Sequence, residues 1–398
     1  MHSDYILFVS DIFLYHGGVS DYTDNFALQL HRYGKLNSVV SPFIENSERN
    51  YPVKKFKVRL HRGAFRLDKY LVTRKIASFY HYTKLYTTCL IHLKKLVKDR
   101  RAITIIFTEY YTREFDIIIF CTRILKIKYV LVFHGLDLIK AKENHKDNLF
   151  LHFSDNFSKA AYIIYNSLAT EQLSKKLFPY LSNKKLIMYP GIDIQDIEAR
   201  KIHQSEKEYK TNNDIIFSTV SRLVKRKGVD IAIRIVHQLS KSYPFIKYYI
   251  GGVGSEREKL ETMVRQLNAE SYIFFLGNIS NEAKYSLLRA SDFFLLPNHS
   301  AGYSDFEGFG ISFIEASLFG NVILGGKQGG TGEAVIDGRT GFLFDFDQPE
   351  SLEKSVSVAK KYINNPELME IIKQNGIEFV KSNYNWNILI KRFLEFVN

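Results

Sequence analysis

LPNHSAGYSDFEGFGISFIEASLFGNVILGGKQGGTGEAVIDGRTGFLFDF, residues 296–346, holds the densest chemistry in the 398-residue chain. At its centre Glu307-Gly308-Phe309-Gly310 runs into Ile311-Ser312-Phe313-Ile314-Glu315. Apolar residues at Ile311, Ile314, Leu318 and Phe319 predict one face of a helix that ends at Gly320. Glu307 then lies in the preceding loop and Glu315 in the second helical turn. Glycines ahead of a helix let a ligand approach the backbone, and the open amides and dipole of the helix start favour an anion such as a phosphate. A carboxylate beside such an anion site needs donors of its own. Sugar hydroxyls, which a carboxylate grips in pairs, are the natural partners for Glu307 and Glu315. The residues therefore read as a sugar-phosphate pocket.

A second glycine turn, Gly329-Gly330 to Glu333, follows, and then Asp337-Gly338-Arg339-Thr340-Gly341-Phe342. With EGFG opening the helix, EAxxxG closing it and seven residues between the glutamates, the segment resembles the signature of retaining GT-B glycosyltransferases of glycosyltransferase family 4. Asp305-Phe306-Glu307-Gly308-Phe309-Gly310 is most similar to the phosphatidylinositol mannosyltransferase-like group. The resemblance covers nearly the whole chain and is strongest over 214–346. It implies an α/β protein of two Rossmann-like domains whose parallel sheets face a central cleft, with a nucleotide-diphosphate sugar held mainly by the C-terminal domain.

Chain length favours two domains of about 200 residues each. The composition, 45% apolar and 24% charged, is globular. Residues 1–9 lack a cationic segment before their short apolar run, and no run approaches the roughly 18 apolar residues that a membrane span needs. A cytoplasmic protein is expected. Cys89 and Cys121 have neither metal-site nor framework spacing and read as reduced packing residues. The net charge of +13 is concentrated in residues 51–101, which hold fifteen Lys and Arg against Asp68 and Asp99. With interleaved aromatic residues, this segment has an anionic membrane surface or a polyanion as candidate partner, and a solvated helical face as the plain alternative. No zinc finger, RNP-like aromatic strand or basic zipper accompanies the charge, so no nucleic acid is expected.

In chain order, Tyr5–Val9 reads as a strand, Ser10–Ser20 as a loop containing Gly17-Gly18, and Asp21–Tyr33 as a helix with Phe26, Leu28 and Leu30 inward. Runs at 103–107, 129–133 and 162–165 read as parallel strands, with Glu109, His134-Gly135-Leu136-Asp137 and Asn166-Ser167 beyond their carboxyl ends, where ligands of such sheets gather. Leu186–Tyr189 is the last strand of an N-terminal domain at 1–198, and the polar run 199–213 is a linker. A C-terminal domain then occupies 214–383. It opens with the strand Ile215–Val220 and the cationic run Arg222-Leu223-Val224-Lys225-Arg226-Lys227-Gly228. Arg222 offers planar bidentate donors and Lys227 a point charge, a combination suited to a diphosphate, whereas Lys225 and Arg226 read as solvated neighbours. Strands at 248–250, 273–276 and 292–296 lead back to the opening segment. By resemblance, the final helix, 384–398, packs back on the N-terminal domain.

The resemblance assigns roles residue by residue. Arg222, Lys227 and the amides of Gly308, Phe309, Gly310 and Ile311 stabilise the leaving diphosphate; Glu307 orients the sugar and Glu315 the ribose. Asn278 and Ile279 read the base, His134 contacts the donor sugar, Gly17 and Gly18 close over the donor–acceptor junction, and Glu109 faces the acceptor. The reaction implied is transfer of a hexosyl unit from a UDP- or GDP-linked sugar, with retention, to a glycan or lipid-linked acceptor in bacterial cell-surface polysaccharide or lipopolysaccharide synthesis. Neither cofactor nor metal is expected, because the cations carry the charge and no DxD cluster is placed to hold a metal. The protein would be cytoplasmic and peripheral at the inner face of the membrane. A degenerate GT-B protein that only binds an anionic lipid or polymer, a sugar-nucleotide epimerase and a phosphorylase are the competing readings.

Overall fold

The computed structural model describes the chain apart from residues 1–3, 10–16, 42–48, 57–70, 97–102, 110–112, 145–154, 200–208, 212, 300–305 and 398, and describes 71–83, 113–114, 144, 155 and 199 by backbone only. The chain forms two compact units: residues 1–189 with 390–398, and residues 190–389.

In the first unit, strands β1 (Asp4–Phe8), β2 (Leu36–Ser41), β3 (Val53–Lys55), β4 (Ile103–Phe107), β5 (Lys128–Phe133), β6 (Tyr162–Tyr165) and β7 (Lys185–Ile187) form one sheet in the order β3-β2-β1-β4-β5-β6-β7. Every pairing is parallel, with Ile6 opposite Ile105 and Leu131 opposite Ile163. β4 is buried along its whole length, and this is why its sequence, ITIIF, shows no alternation. The helix Gly18–Arg32 covers the sheet through Tyr22, Phe26, Ala27 and Leu30. Leu28, expected inward, is only half-buried, because the buried stripe follows the four-residue step from Tyr22 to Phe26 to Leu30.

Of the basic segment 51–101, residues 57–70 and 97–101 lie outside the described residues. Within the helix Leu71–Leu96, Leu85, Cys89 and Leu93 recur at four-residue spacing and are buried, while Lys84, Lys94 and Lys95 are exposed. Tyr51 and Phe56 are buried and Tyr86 half-buried, so these aromatic side chains serve the core. Cys89 and Cys121 are free and buried, and the Cys121 thiol donates to the Tyr86 carbonyl at 3.7 Å across two packed helices.

In the second unit, β8 (Ile215–Val220), β9 (Ile246–Gly251), β10 (Ile273–Gly277), β11 (Phe293–Leu296), β12 (Val322–Gly326) and β13 (Phe342–Phe344) form a parallel sheet in the order β10-β9-β8-β11-β12-β13. Phe217 on β8 and Phe293 on β11 face each other in register and their rings stack with centroids 4.7 Å apart. The helix Val229–Ser240 buries Val229, Ala232, Ile233, Val236 and Leu239 against the sheet, at about 1.5–3 kcal/mol for each large aliphatic side chain.

Both sheets reverse direction of growth at one internal position, β1/β4 in the first and β8/β11 in the second. Ligands of open parallel sheets bind beyond the carboxyl ends of the strands at such a reversal. The segments 221–228 and 297–310 leave the carboxyl ends of β8 and β11, and therefore occupy that position in the second unit.

The unit boundary falls at Tyr189–Pro190, not at residue 198. Backbone pairing accounts for this: the Ile192 amide donates to the Tyr384 carbonyl at 2.7 Å, and the Trp386 amide donates to the Ile192 carbonyl at 3.2 Å. Residues 190–192 are thereby tied to the end of the second unit. The expected linker also ends early, since Tyr209 is buried and Lys210 donates to Asp292 at 2.7 Å. The helix Trp386–Val397 starts in the second unit and finishes in the first, where the Phe393 ring lies 5.5 Å from Tyr5 and 5.1 Å from Phe26. No helix among the described residues is long and apolar enough to cross a membrane.

Candidate active site

The predicted residues fall into two groups, one in each unit. In the second unit the helix Ile311–Leu318 starts after Gly310, whose φ of 99° turns the chain into it. Its buried residues are Phe313, Ile314, Ala316 and Ser317; Ile311 and Leu318 are half-buried. The inward face is thus rotated from the one expected, because the Phe313 ring fills the space left by the missing side chain of Gly325, where an added Cβ would lie 2.9 Å from it. Phe309 is buried and meets Tyr384 edge-on at 5.2 Å.

The loop carrying Glu307 is seated on the second glycine turn. The Gly330 amide donates to the Glu307 carbonyl at 2.9 Å, and a Cβ on Gly329 would lie 2.1 Å from that same oxygen. With φ at +53°, Gly329 is doubly required to be glycine. Glu307 is held in place by its backbone before its side chain is considered.

The Glu307 side chain is 12% exposed and all of its described partners meet one oxygen. Oε2 accepts from Lys227 Nζ at 2.6 Å, from Asn298 Nδ2 at 2.9 Å and from Arg226 Nη1. Burial alone would raise the Glu307 carboxyl, but the charges and hydrogen bonds of Lys227 and Arg226 outweigh it and hold the group down at about 2. For Lys227 the opposite balance holds: burial, with the Arg226 and Arg222 charges beside it, lowers its ammonium against the pull of Glu307.

Arg226 was expected to be solvated and is not. Residues 225–227 form one tight 3-10 turn, which sends Lys225 outward and turns Arg226 and Lys227 toward Glu307. Arg222, predicted to bind the diphosphate, is exposed and its guanidinium meets no acidic group among the described residues. Asn298, buried on the loop after β11, joins this group although no motif in the sequence marks it.

Glu315 accepts a hydrogen bond from Lys284 at 2.6 Å, both side chains being largely buried. No motif in the sequence marks Lys284 either. Asn278 is exposed in the turn after β10, and Ile279 is half-buried with its Cδ1 close over Gly251. Gly252 donates to the Gly277 carbonyl at 2.7 Å, so the turn expected to read the base is fixed to the turn after β9.

In the first unit, Gly17, Glu109 and His134 follow β1, β4 and β5, three adjacent strands. Gly17 is extended at φ 165°, a Cβ added there meets nothing within 4 Å among the described residues, and Gly18 is exposed. Residues 10–16 of this loop lie outside the described residues. Glu109 is buried. The His134 ring packs edge-on against Tyr22 at 4.9 Å, and its Nε2 donates to the Thr108 carbonyl at 2.8 Å. Burial lowers the imidazole to about 4, against the Thr108 hydrogen bond that raises it, so His134 is neutral with its proton on Nε2. Asp137 of the HGxD motif accepts from the amides of His134, Gly135 and Leu138 at 2.8–3.0 Å and caps the turn that presents His134. Among the described residues no cluster of three or more His, Cys, Asp or Glu is arranged to hold a metal ion.

A carboxylate gripped by two cations stands at the mouth of a glycine-flanked helix start, on a doubly wound parallel sheet, an arrangement suited to a ligand with both an anionic group and hydroxyls. Residues 199–379 match the family described as glycosyl transferases group 1. Over that stretch the chain is similar to group 1 glycosyl transferases. The fold is GT-B: a crystal structure of Anabaena Alr3699/HepE in complex with UDP and glucose superposes with a TM-score of 0.71 at 18% identity, covering 99% of each chain. In sequence, an uncharacterised glycosyltransferase of Methanocaldococcus jannaschii is 28% identical over 72% of this chain and 76% of its own. The GDP-mannose-dependent alpha-(1-6)-phosphatidylinositol monomannoside mannosyltransferase of Mycolicibacterium smegmatis is 28% identical over 52% of this chain. That alignment spans 55% of the mycobacterial enzyme, about half its length.

Proposed function

We propose that the protein is a group 1 glycosyltransferase that moves a hexosyl unit from a nucleotide-diphosphate sugar, UDP- or GDP-linked, to a glycan or lipid-linked acceptor, with retention of anomeric configuration. The observation that carries the reading is the Glu307 carboxylate, held ionised by Lys227 and Arg226 directly ahead of the helix start at Gly310–Ile311. The first amides of a helix have no partner within it and, with Lys227 and the exposed Arg222, suit the diphosphate. As the glycosidic bond breaks, charge grows on that leaving group, and fixed donors aimed at it lower the barrier. The cations supply this stabilisation in place of a metal. Glu307 receives sugar hydroxyls, which need an acceptor that stays charged, and a carboxyl at about 2 does so at any physiological pH.

Retention then proceeds by front-side attack, with the acceptor hydroxyl entering on the face from which the diphosphate leaves and giving its proton to a phosphate oxygen. Glu307, already paired with two cations, is a poor nucleophile, and this argues against the covalent route of retaining glycosidases. The mycobacterial and Anabaena proteins are named for GDP-mannose and for UDP with glucose, which is the ground for keeping both bases. The basic segment 51–101 is the reason to propose a lipid-linked acceptor and a peripheral place at the inner membrane face.

The test is a thermal-shift panel of UDP-, GDP- and ADP-sugars on wild type and Glu307→Ala. One nucleotide sugar should raise the midpoint more than its bare nucleotide does, with the excess lost in the variant. A folded wild type that responds to none of them would overturn the reading.

A further inference from the structure

The three donors on Glu307 all reach Oε2, and two of them are cations from adjacent residues. That is more positive charge than one carboxylate needs, in a place where burying charge is costly. A diphosphate arriving at Lys227 explains the surplus. Its charge would compete with Glu307 for the Lys227 ammonium, and if Lys227 were the only cation the carboxylate would be left buried, unpaired and facing an anion. We infer that Arg226 is the standing counter-ion of Glu307, a positioning residue whose contact lets Lys227 pass from the carboxylate to the phosphate when the donor binds.

The geometry supports a division of labour between the two cations. Arg226 is fixed by its neighbours, since its carbonyl accepts from the His299 amide at 3.1 Å and its side chain is 11% exposed. Its planar fork suits a lasting carboxylate contact, whereas Lys227 is a point charge on a flexible stem, suited to exchange partners. Asn298 supplies the third, neutral donor to the same oxygen, so Oε2 keeps two of its three hydrogen bonds when Lys227 leaves. Gly228 follows Lys227 with φ +64°, and a Cβ there would lie 2.0 Å from the Pro297 carbonyl. The turn bearing both cations is thus pressed against the Pro297–His299 segment that carries Asn298.

The inference rests on the donor reading above, and the experiment separates the two. Calorimetric titration with bare UDP and GDP removes the sugar from the comparison. Arg226→Gln should weaken binding of the nucleotide that wild type prefers by about tenfold or more, because Lys227 is then kept by Glu307. Arg226→Lys, which keeps the charge, should stay within a few fold. The decisive variant is Arg226→Gln with Glu307→Gln, in which Lys227 has no carboxylate to serve. Nucleotide affinity should return to the wild-type level there, provided circular dichroism shows both variants folded. If Arg226 instead touched the phosphate itself, the second substitution would restore nothing and the inference would fall. Failure of wild type to bind either nucleotide would overturn the donor reading, and this inference with it.

Discussion

Lys284 Nζ lies 2.6 Å from Glu315 Oε1, in a pair with 11% and 13% of the two side chains exposed. The second glutamate of the motif is therefore charge-paired by a neighbouring helix, as the first is by the 225–227 turn. Breaking a buried pair on one side strands the other charge at a cost of about 3–5 kcal/mol, while replacing both is far milder. Lys284→Met should lower stability by an amount in that range, and adding Glu315→Gln should return most of it. Chemical denaturation of the two single variants and the double variant checks this; additive losses would show that the pair is not coupled.

Arg222 presents the opposite case. It is exposed and makes no ion pair among the described residues, so Arg222→Ala should change stability by less than about 0.5 kcal/mol. Turnover should fall by about 100-fold or more, the loss expected when one donor to a developing charge is removed. Unchanged turnover with any active donor–acceptor pair would remove Arg222 from the site.

His134 carries a pH dependence whose sign is fixed by its burial. Its folded value, about 4, lies below the ordinary 6.5, so the unfolded chain takes up a proton first as pH falls. The stability held by the neutral ring is complete above about pH 6.5 and is lost progressively as pH falls through about 4, reaching about 3 kcal/mol. Midpoints measured between pH 7 and pH 4 should fall less steeply in His134→Asn than in wild type. Parallel curves would mean that the ring does not titrate in that window.

Gly329→Ala adds a methyl group that must displace the Glu307 carbonyl, and does so in a left-handed conformation. The strain and overpacking should together cost about 2–4 kcal/mol. The shift in midpoint on adding the best donor should be lost as well, since the backbone that sets Glu307 has moved. Gly17→Ala is the control: with φ at 165° and no atom of the described residues within 4 Å of the new Cβ, its stability should match wild type. Calorimetry on both variants distinguishes them, and equal losses would show that the steric argument is wrong.

Much of this architecture was legible in apolar runs. β4, β5, β6, β8 and β11 are buried strands of two parallel sheets, and their mainly apolar runs, such as ITIIF and FFLL, announce it. β2 and β3, LNSVVS and VKK, and β13, FLF, are too short or too polar to stand out, while β12 ends in two glycines that read as a turn. Glu307 and Lys227 could be placed from motif spacing. Arg226 could not, because in a run of three cations only the 3-10 turn determines which side chains face inward. Lys284 did leave a trace: it stands three and four residues before Leu287 and Leu288, both buried, and so lies on the inward face of its helix. That trace was overlooked because a lysine is ordinarily assigned to solvent.

The path of the last helix bears on how the protein is made. Phe393 packs against Tyr5 and Phe26, partners that are synthesised long before it. The second unit is one continuous stretch, 190–389, and has all its residues once that stretch has been synthesised. The first unit must wait for residues 390–398. The usual vectorial order, in which the N-terminal domain matures first, is therefore inverted for the final step. A chain ended at residue 389 would keep every residue of the second unit, while the Tyr5 and Phe26 rings would lack the one that packs between them.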